Sequence, residues 1–183
     1  MKRINYVDAD SVVFSKKDPA DCSPEEIREF VALVERGDQV SADGLASRVL
    51  RAEKLLFLRK ESTSELVAVA ALKRPSRSYR SRVFAKAGLP ESIGLRCEIE
   101  AGWVFVSPEY RGRRIGERML AEVLDDVVGP VFATARRDNR SMSAALVRLG
   151  FERKAHWLFR SDRDGGEIVL FVRNSDFAEE IPF

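Results

Sequence analysis

The stretch WVFVSPEYRGRRIGERML, residues 103–120, is the feature that most restricts how this chain can fold. An apolar run ends at Pro108. Arg111, Arg113 and Arg114 then surround Gly112 and lead to Gly116, while Ile115, Met119, Leu120, Val123, Leu124 and Val127 recur at helical spacing up to Gly129-Pro130. A strand, a short basic turn and an amphipathic helix must therefore follow one another directly. A chain leaving a strand into a helix presents backbone N–H groups that have no partner inside the helix, and the helix dipole adds to them, so the junction suits an anion. Glycine lets the backbone approach an anion closely, and arginine supplies charge and forked donors. The spacing is neither GxxxxGK[ST] nor GxGxxG. From the residues alone, an anion site and a solvated basic turn both remain open.

The flanking chain supplies the layers such a junction needs. DCSPEEIREFVALVERGD carries helix punctuation: Ser23 as cap, Pro24 in the first turn, Glu26 to complete a capping box and Gly37 at the stop. Ile27, Phe30, Val31 and Val34 form its apolar face. A second helix is predicted over 42–51 with Leu45, Val49 and Leu50 inward. Residues 54–60 and 66–72 read as a hairpin about the polar turn ESTSE, and 73–97 as a long connection with poor patterning. EIEAGWVFV (98–106) and VFATAR (131–136) read as strands. DNRSMSAALVRLGF reads as a short helix capped by Asp138 or Asn139 and stopped by Gly150; HWLFRS and EIVLFVR read as a final strand pair about DRDGG. The order, β-αα-βββ-α-β-α-ββ, predicts a mixed α/β fold with one sheet and helices on its faces.

Composition removes several function classes. The 183 residues suffice for one domain with a full core and are short for two, so 1–183 is read as a single domain. A formal net charge of +2 does not make the whole surface a nucleic-acid footprint. Cys22 and Cys97 lack CxxC spacing and His156 is the one histidine, so no zinc set can be completed and no metal site is expected. Reduced cysteines favour a cytoplasmic setting. No apolar run approaches a membrane span of about 20 residues, and MKRINYVDAD lacks the apolar centre of a signal peptide.

VSPEYRGRRIGERML resembles the central motif of the GNAT (GCN5-related) N-acetyltransferase superfamily, a strand followed by V-x-P-x-x-[RQ]-x-x-G-x-[GA] and a helix. Val106, Pro108, Arg111 and Gly116 match it, and Arg114 takes the place of the first glycine. NRSMSAALVRLGF resembles the later motif of the same family through Asn139, Gly150 and Phe151. The resemblance implies the GNAT-like acyl-CoA N-acyltransferase fold, a mixed and mostly antiparallel sheet flanked by helices. It also implies acetyl-CoA as cosubstrate, with the diphosphate on the turn from Arg111 through Gly112, Arg113, Arg114, Ile115 and Gly116 to Glu117. The pantetheine arm would then lie along Val104, Phe105 and Val106, and Asn139 would turn toward the cofactor. Arg114 is expected in helical backbone, where a side chain is sterically tolerated.

The chemistry implied is direct attack of an amine on the thioester, with a strand N–H stabilising the oxyanion. A primary alkyl amine has a pKa of about 10 and arrives mostly protonated, so a carboxylate base is needed. Glu98 and Glu100, two apart and read on one face of a strand, are the candidates. Glu100 lies eleven residues before Arg111, where the resemblance implies a base because several family members carry their catalytic glutamate there; the bland alternative is a pair of glutamates at a solvated strand end. The family's usual acid, a tyrosine, is replaced by Leu146; Ser141, Tyr110 or a water are the substitutes. His156 on a strand beside Trp157 reads as a packing residue, Trp103 and Trp157 as core or pocket wall, and Asn139 is equally explained as a helix cap.

LKRPSRSYRSRVFAK (72–86) holds Lys73, Arg74, Arg77, Arg80, Arg82 and Lys86. The resemblance places this connection near the acceptor, and a basic acceptor side suits an acidic molecule, an acidic peptide or RNA phosphates. A solvated loop balancing acidic helices explains it equally well. The expected function is acetyl transfer to a primary amine of a small molecule or protein. The alternatives are a toxin-like enzyme acting on aminoacyl-tRNA, with nucleic acid as a partner not favoured by the balanced charge, and a non-catalytic coenzyme A- or partner-binding member of the fold. A homodimer is left open.

Overall fold

The computed structural model describes residues 3–4, 11–153 and 156–174. Apart from Arg3–Ile4, the N-terminal MKRINYVDAD lies outside the described residues, as does Ala155. The fold is mixed α/β, a mostly antiparallel open sheet flanked by helices. The chain divides into two compact units, Met1–Lys73 with Gly102–Asp125, and Arg74–Ala101 with Asp126–Phe183.

In the first unit, β1 (Arg3–Ile4), β2 (Val12–Lys17), β3 (Lys54–Lys60) and β4 (Leu66–Lys73) form an antiparallel meander in that order, with the later part of β5 (Ile99–Val106) beyond β4. The run Leu55–Leu58 is buried at every position. Continuous burial requires cover on both faces of the strand. α1 (Pro24–Arg36) and α2 (Leu45–Val49) cover one face through Phe30, Leu33, Val34, Leu45 and Val49 against Leu55, Phe57 and Val69; α5 (Ile115–Leu124) also packs on β3 and β4. The capping box at α1 is complete: Ser23 Oγ accepts from the Glu26 N–H at 3.1 Å, and Glu26 accepts from the Ser23 N–H at 2.9 Å. α2 is shorter than its pattern predicts, and Leu50 is exposed rather than inward. α5 likewise ends at Leu124, before Val127 and well short of Gly129.

In the second unit, the first residues of β5 run parallel to β6 (Val131–Arg136), pairing Ile99 with Val131, Glu100 with Phe132 and Ala101 with Ala133. β6 is antiparallel to β8 (Glu167–Arg173), which pairs with β7 (Leu158–Arg160). The predicted connection 73–97 is not irregular. It forms α3 (Arg77–Lys86) and α4 (Glu91–Arg96). Ser76 Oγ caps α3 by accepting from the Tyr79 N–H at 3.2 Å. The buried stripe of α3 is Arg80, Val83 and Phe84, so a cation interrupts the periodicity by which a helix is read. Arg80 is buried because its Nη1 donates to the Leu95 carbonyl at 3.0 Å, near the end of α4. Gly94 makes that approach possible: a Cβ there would lie 2.9 Å from the Arg80 carbonyl oxygen and 3.0 Å from the Phe84 ring. Phe84 meets Phe132 edge to face, 5.3 Å between centroids. Cys97 is buried in this core, and burial pushes its thiol up to about 12, which makes it inert at neutral pH.

Candidate functional site

The first unit carries the strand, turn and helix. β5 is not regular, because Trp103 adopts φ 50 in mid-strand. A left-handed non-glycine residue costs about 1–3 kcal/mol and turns the local peptide out of strand alternation. Its neighbours hold it there. The Trp103 ring lies edge-on to Phe30 at 6.4 Å, and the Lys73 ammonium lies 5.5 Å from the indole. Gly102 leaves room for that lysine, whose Cε would be 3.0 Å from a Cβ at position 102. No pattern in the sequence signals this irregularity.

Beyond Val106, the Ser107 N–H donates to the Val67 carbonyl at 2.9 Å and anchors the exit of the strand to β4. Pro108–Tyr110 make one 3₁₀ turn with Tyr110 buried. Arg111 folds back: its Nε donates to the Val106 carbonyl at 3.0 Å, and its guanidinium lies 5.8 Å from the Phe105 ring. Gly112 has φ 77 and Arg114 has φ 56. Arg114 is therefore the left-handed N-cap of α5, not a helical residue as expected. This is the conformation glycine accepts freely and other residues adopt at a cost of about 1–2 kcal/mol. Two left-handed residues within three positions curve the backbone into the kind of turn that gathers N–H groups on one side, a concavity suited to anions.

The side chains at the turn fall into two sets. Arg114 is engaged by Glu117 in the first helical turn, Nη2 to Oε1 at 2.6 Å and Nε to Oε2 at 3.1 Å. Arg113 is exposed. Ile115 is buried and fixes the helix on the sheet. At Gly116 a Cβ would meet Val104 at 3.6 Å and Val106 at 3.9 Å, which is ordinary contact. Among the described residues nothing demands glycine there.

The remaining sequence candidates lie in the second unit. Glu100 is 2% exposed, and Thr134 Oγ1 on the adjacent β6 donates to its Oε1 at 3.1 Å. It is thus no residue of a solvated strand end. Glu98 differs. It precedes β5, is exposed, and sits 3.6 Å from Arg74, so the two glutamates do not share one face of a strand. Asn139 caps α6 (Arg140–Arg148), its Oδ1 accepting from the Met142 N–H at 3.0 Å. Leu146 is buried and Ser141 exposed. His156 stands exposed in a turn before β7, not packed on a strand; Trp157 beside it is buried. Thr134 is the partner that sequence reasoning missed, although it is the one polar residue inside VFATA. Among the described residues, no group of three His, Cys, Asp or Glu side chains is placed to hold a metal, and no helix is long and apolar enough to cross a membrane.

The sequence pattern of the Acetyltransferase (GNAT) family matches residues 24–151, which include both the turn before α5 and the segment from Asn139 to Phe151. The chain belongs to the GNAT acetyltransferase family. Solved structures of similar fold include Escherichia coli ElaA, with TM-score 0.63 and 15% identity over 88% of this chain and 99% of that one. They also include an acyl-CoA N-acyltransferase from Pseudomonas aeruginosa, TM-score 0.63, 17% identity, 88% and 99% covered. A third is the ribosomal-protein-S18-alanine N-acetyltransferase of Escherichia coli, TM-score 0.60, 15% identity, 93% and 100% covered. At these identities the likeness is one of fold. An uncharacterized protein of Mycobacterium leprae (strain TN) is 40% identical over 57 residues, which are 31% of this chain and 16% of that protein. The match therefore spans about a sixth of that relative's length. As a GNAT member the chain keeps the motif's Val106, Pro108, Arg111 and Gly116, and it departs from the motif at Arg114, whose backbone is left-handed.

Proposed function

We propose that the chain is an N-acetyltransferase that moves an acetyl group from acetyl-CoA to a primary amine of a small molecule or protein. The observation that carries the reading is the turn 111–116, where two left-handed residues lead into α5 and a glycine faces no constraint from the described residues. Its N–H groups would hold the cofactor diphosphate, with Arg113 adding charge. The pantetheine arm would follow Val104–Val106, where a backbone N–H would receive the developing oxyanion. Glu100, earlier on the same strand, would take the proton from the attacking amine, directly or through a water. The thiolate would leave with a proton from water or Tyr110, since Leu146 offers none.

The family's use of acetyl-CoA, the buried carboxylate and the turn support this reading together. Leu146 favours a second one, a member that binds coenzyme A without transferring from it. The two separate by experiment. Calorimetric titration with acetyl-CoA, desulfo-CoA and ATP should show saturable binding of both coenzyme A compounds and much weaker binding of ATP; absence of coenzyme A binding would sink both. Glu100→Gln should then retain acetyl-CoA affinity and lower transfer to a responsive amine by about 10²–10⁴-fold. An unchanged rate would remove Glu100 as the base. No transfer to any of a broad amine and peptide panel, with tight binding, would leave the non-catalytic reading.

Acceptor recognition through the basic stretch 73–86 finds little support in its side chains. Lys73 sits on Trp103, Arg74 is beside Glu98, Arg80 is buried, and Arg82 and Lys86 both meet Asp162. With five of its six cations so engaged and only Arg77 left over, the stretch makes a poor phosphate footprint, and charged transfer RNA is correspondingly the weaker acceptor hypothesis.

A further inference from the structure

Glu100 is 2% exposed, and a carboxylate so enclosed needs protein groups to take the place of water around it. The parallel pairing of β5 and β6 sets Glu100 opposite Phe132 and Ala101 opposite Ala133, and the paired register ends there. Side chains two apart on a strand share a face, so Thr134 follows Phe132 on the face that Glu100 also occupies. The threonine stands one diagonal step from the carboxylate, and its Oγ1 donates to Oε1 at 3.1 Å. Both residues belong to the second unit.

Thr134 is held so that this bond has one direction. On its other side β6 is antiparallel to β8, with Thr134 opposite the fully buried Leu170, so the backbone beneath the hydroxyl is fixed. Threonine is stiff about χ1, and a fixed backbone therefore aims its hydroxyl. That group has a single proton to donate, and the carboxylate receives it. Stability alone does not explain the pair. Val131, Phe132, Ala133 and Ala135 are buried around Thr134, and valine has nearly the same shape and equal fitness for a strand. Replacing a buried polar pair by apolar groups of the same shape is ordinarily neutral or stabilising. A pair kept against that trend points to use of the carboxylate.

We propose that Thr134 is the positioning residue of the base: through its hydrogen bond it fixes the orientation in which the Glu100 carboxylate takes the proton of the attacking amine. The inference rests on the reading of Glu100 as the base. In the step itself an N–H bond of the ammonium breaks and an O–H bond forms on Glu100. Thr134 keeps its own proton throughout and acts only through the glutamate. Its contribution is preorganisation, since an oriented carboxylate needs no rearrangement when the amine arrives.

The test compares the intact chain with Thr134→Val, Thr134→Ala, Thr134→Ser, Glu100→Gln and the Glu100→Gln/Thr134→Val double variant. Acetyl transfer from acetyl-CoA is followed with n-butylamine and with a short alanine peptide as acceptors. Thr134→Val should lower kcat by about tenfold to a hundredfold, the loss of a hydrogen bond to a charged group. The KM values for acetyl-CoA and amine should stay within about twofold, because the interaction lost is not one with either substrate. Thr134→Ala removes the same hydroxyl without placing a methyl group against the carboxylate and should show the same loss, which guards against a misfolded valine variant. Thr134→Ser keeps the hydroxyl and should recover most of the rate. In the Glu100→Gln background Thr134→Val should change the rate no further, since a residue that acts through Glu100 has nothing left to act on. Urea unfolding supplies an arm that needs no acceptor: the same two positions should be coupled there, and strictly additive effects overturn the proposal. So does a kcat within about twofold of the parent in the valine and alanine variants, a loss confined to KM, or a full further loss in the Glu100→Gln background. The two assignments fail separately. A fast Glu100→Gln variant removes the base itself, whereas a slow Glu100→Gln beside a fast Thr134→Val removes only the role of Thr134.

Discussion

Helices α1 and α5 both belong to the first unit and both follow a short turn containing proline, yet their N-termini are finished in opposite ways. α1 is closed by its own side chains: Ser23 and Glu26 bond reciprocally, and Lys17 holds the same glutamate at 2.6 Å. α5 has Arg114 as N-cap, a left-handed residue whose side chain makes no cap hydrogen bond, and a glycine in its first turn. A helix start that serves only the fold satisfies its N–H groups locally. One that leaves them to a partner outside the chain forgoes that stability for binding. The nearby carboxylate fits this contrast, since Glu117 is engaged by Arg114 and its negative charge is thereby partly offset beside the turn.

The strongest way to break the comparison is Gly116→Asp. The backbone there has room for a Cβ, so the chain should fold, but bulk and negative charge beside a diphosphate should weaken acetyl-CoA binding by about 100-fold or more. Tight binding retained by a folded variant would show that the α5 start is not the anion site. Ser23→Ala is the matching change at α1. It should cost about 1 kcal/mol in urea denaturation and leave acetyl-CoA affinity unaltered. A loss of affinity there would mean that the two helix starts do not divide their roles as described.

A smaller effect sharpens the role of Arg114. Arg114→Gly should relieve a left-handed backbone and Arg114→Ala should not, so the glycine variant should be the more stable of the two by about 1 kcal/mol. Both lose the same ion pair, which cancels in the difference. Equal stabilities would mean that φ 56 carries no strain in this setting.

What could be read in the sequence divides along the same line. The α1 box was legible residue by residue because capping is local chemistry with fixed spacing. The hairpin of β3 and β4 and the strand, turn and helix around Arg111 were legible because their patterns are local too. α3 was not, since the residue that fills its buried stripe is Arg80, and only the Leu95 carbonyl of a separate helix explains a cation there. The left-handed Trp103 was hidden for a similar reason: Lys73, Phe30 and Gly102 hold it, and none of them is near enough in a pattern to announce it. Of the candidate site, the turn was visible, while the burial of Glu100 and its bond from Thr134 depend on a parallel pairing that no spacing encodes.

The smallest effect concerns pH and tests how far α1 is self-sufficient. The Glu26 carboxyl is held below its ordinary value of 4.5 by the hydrogen bond from Lys17 and by the Ser23 N–H, with burial opposing both. A carboxyl whose folded pKa is depressed contributes stability that is fully present above its unfolded value and is lost as pH falls through the folded one. The contribution should therefore be complete at pH 6–7 and fade below about pH 4.5. The pair is partly solvated, so its size should be a few tenths of a kcal/mol and at most about 1. Glu26→Gln removes the charge while keeping a side chain that can still accept from Ser23. The stability gap between the parent chain and this variant, measured by urea denaturation from pH 7 to pH 3, should narrow toward zero on acidification. If no gap is present at pH 7, the box acts through the neutral hydrogen bond alone and the Lys17 charge contributes nothing to how α1 begins.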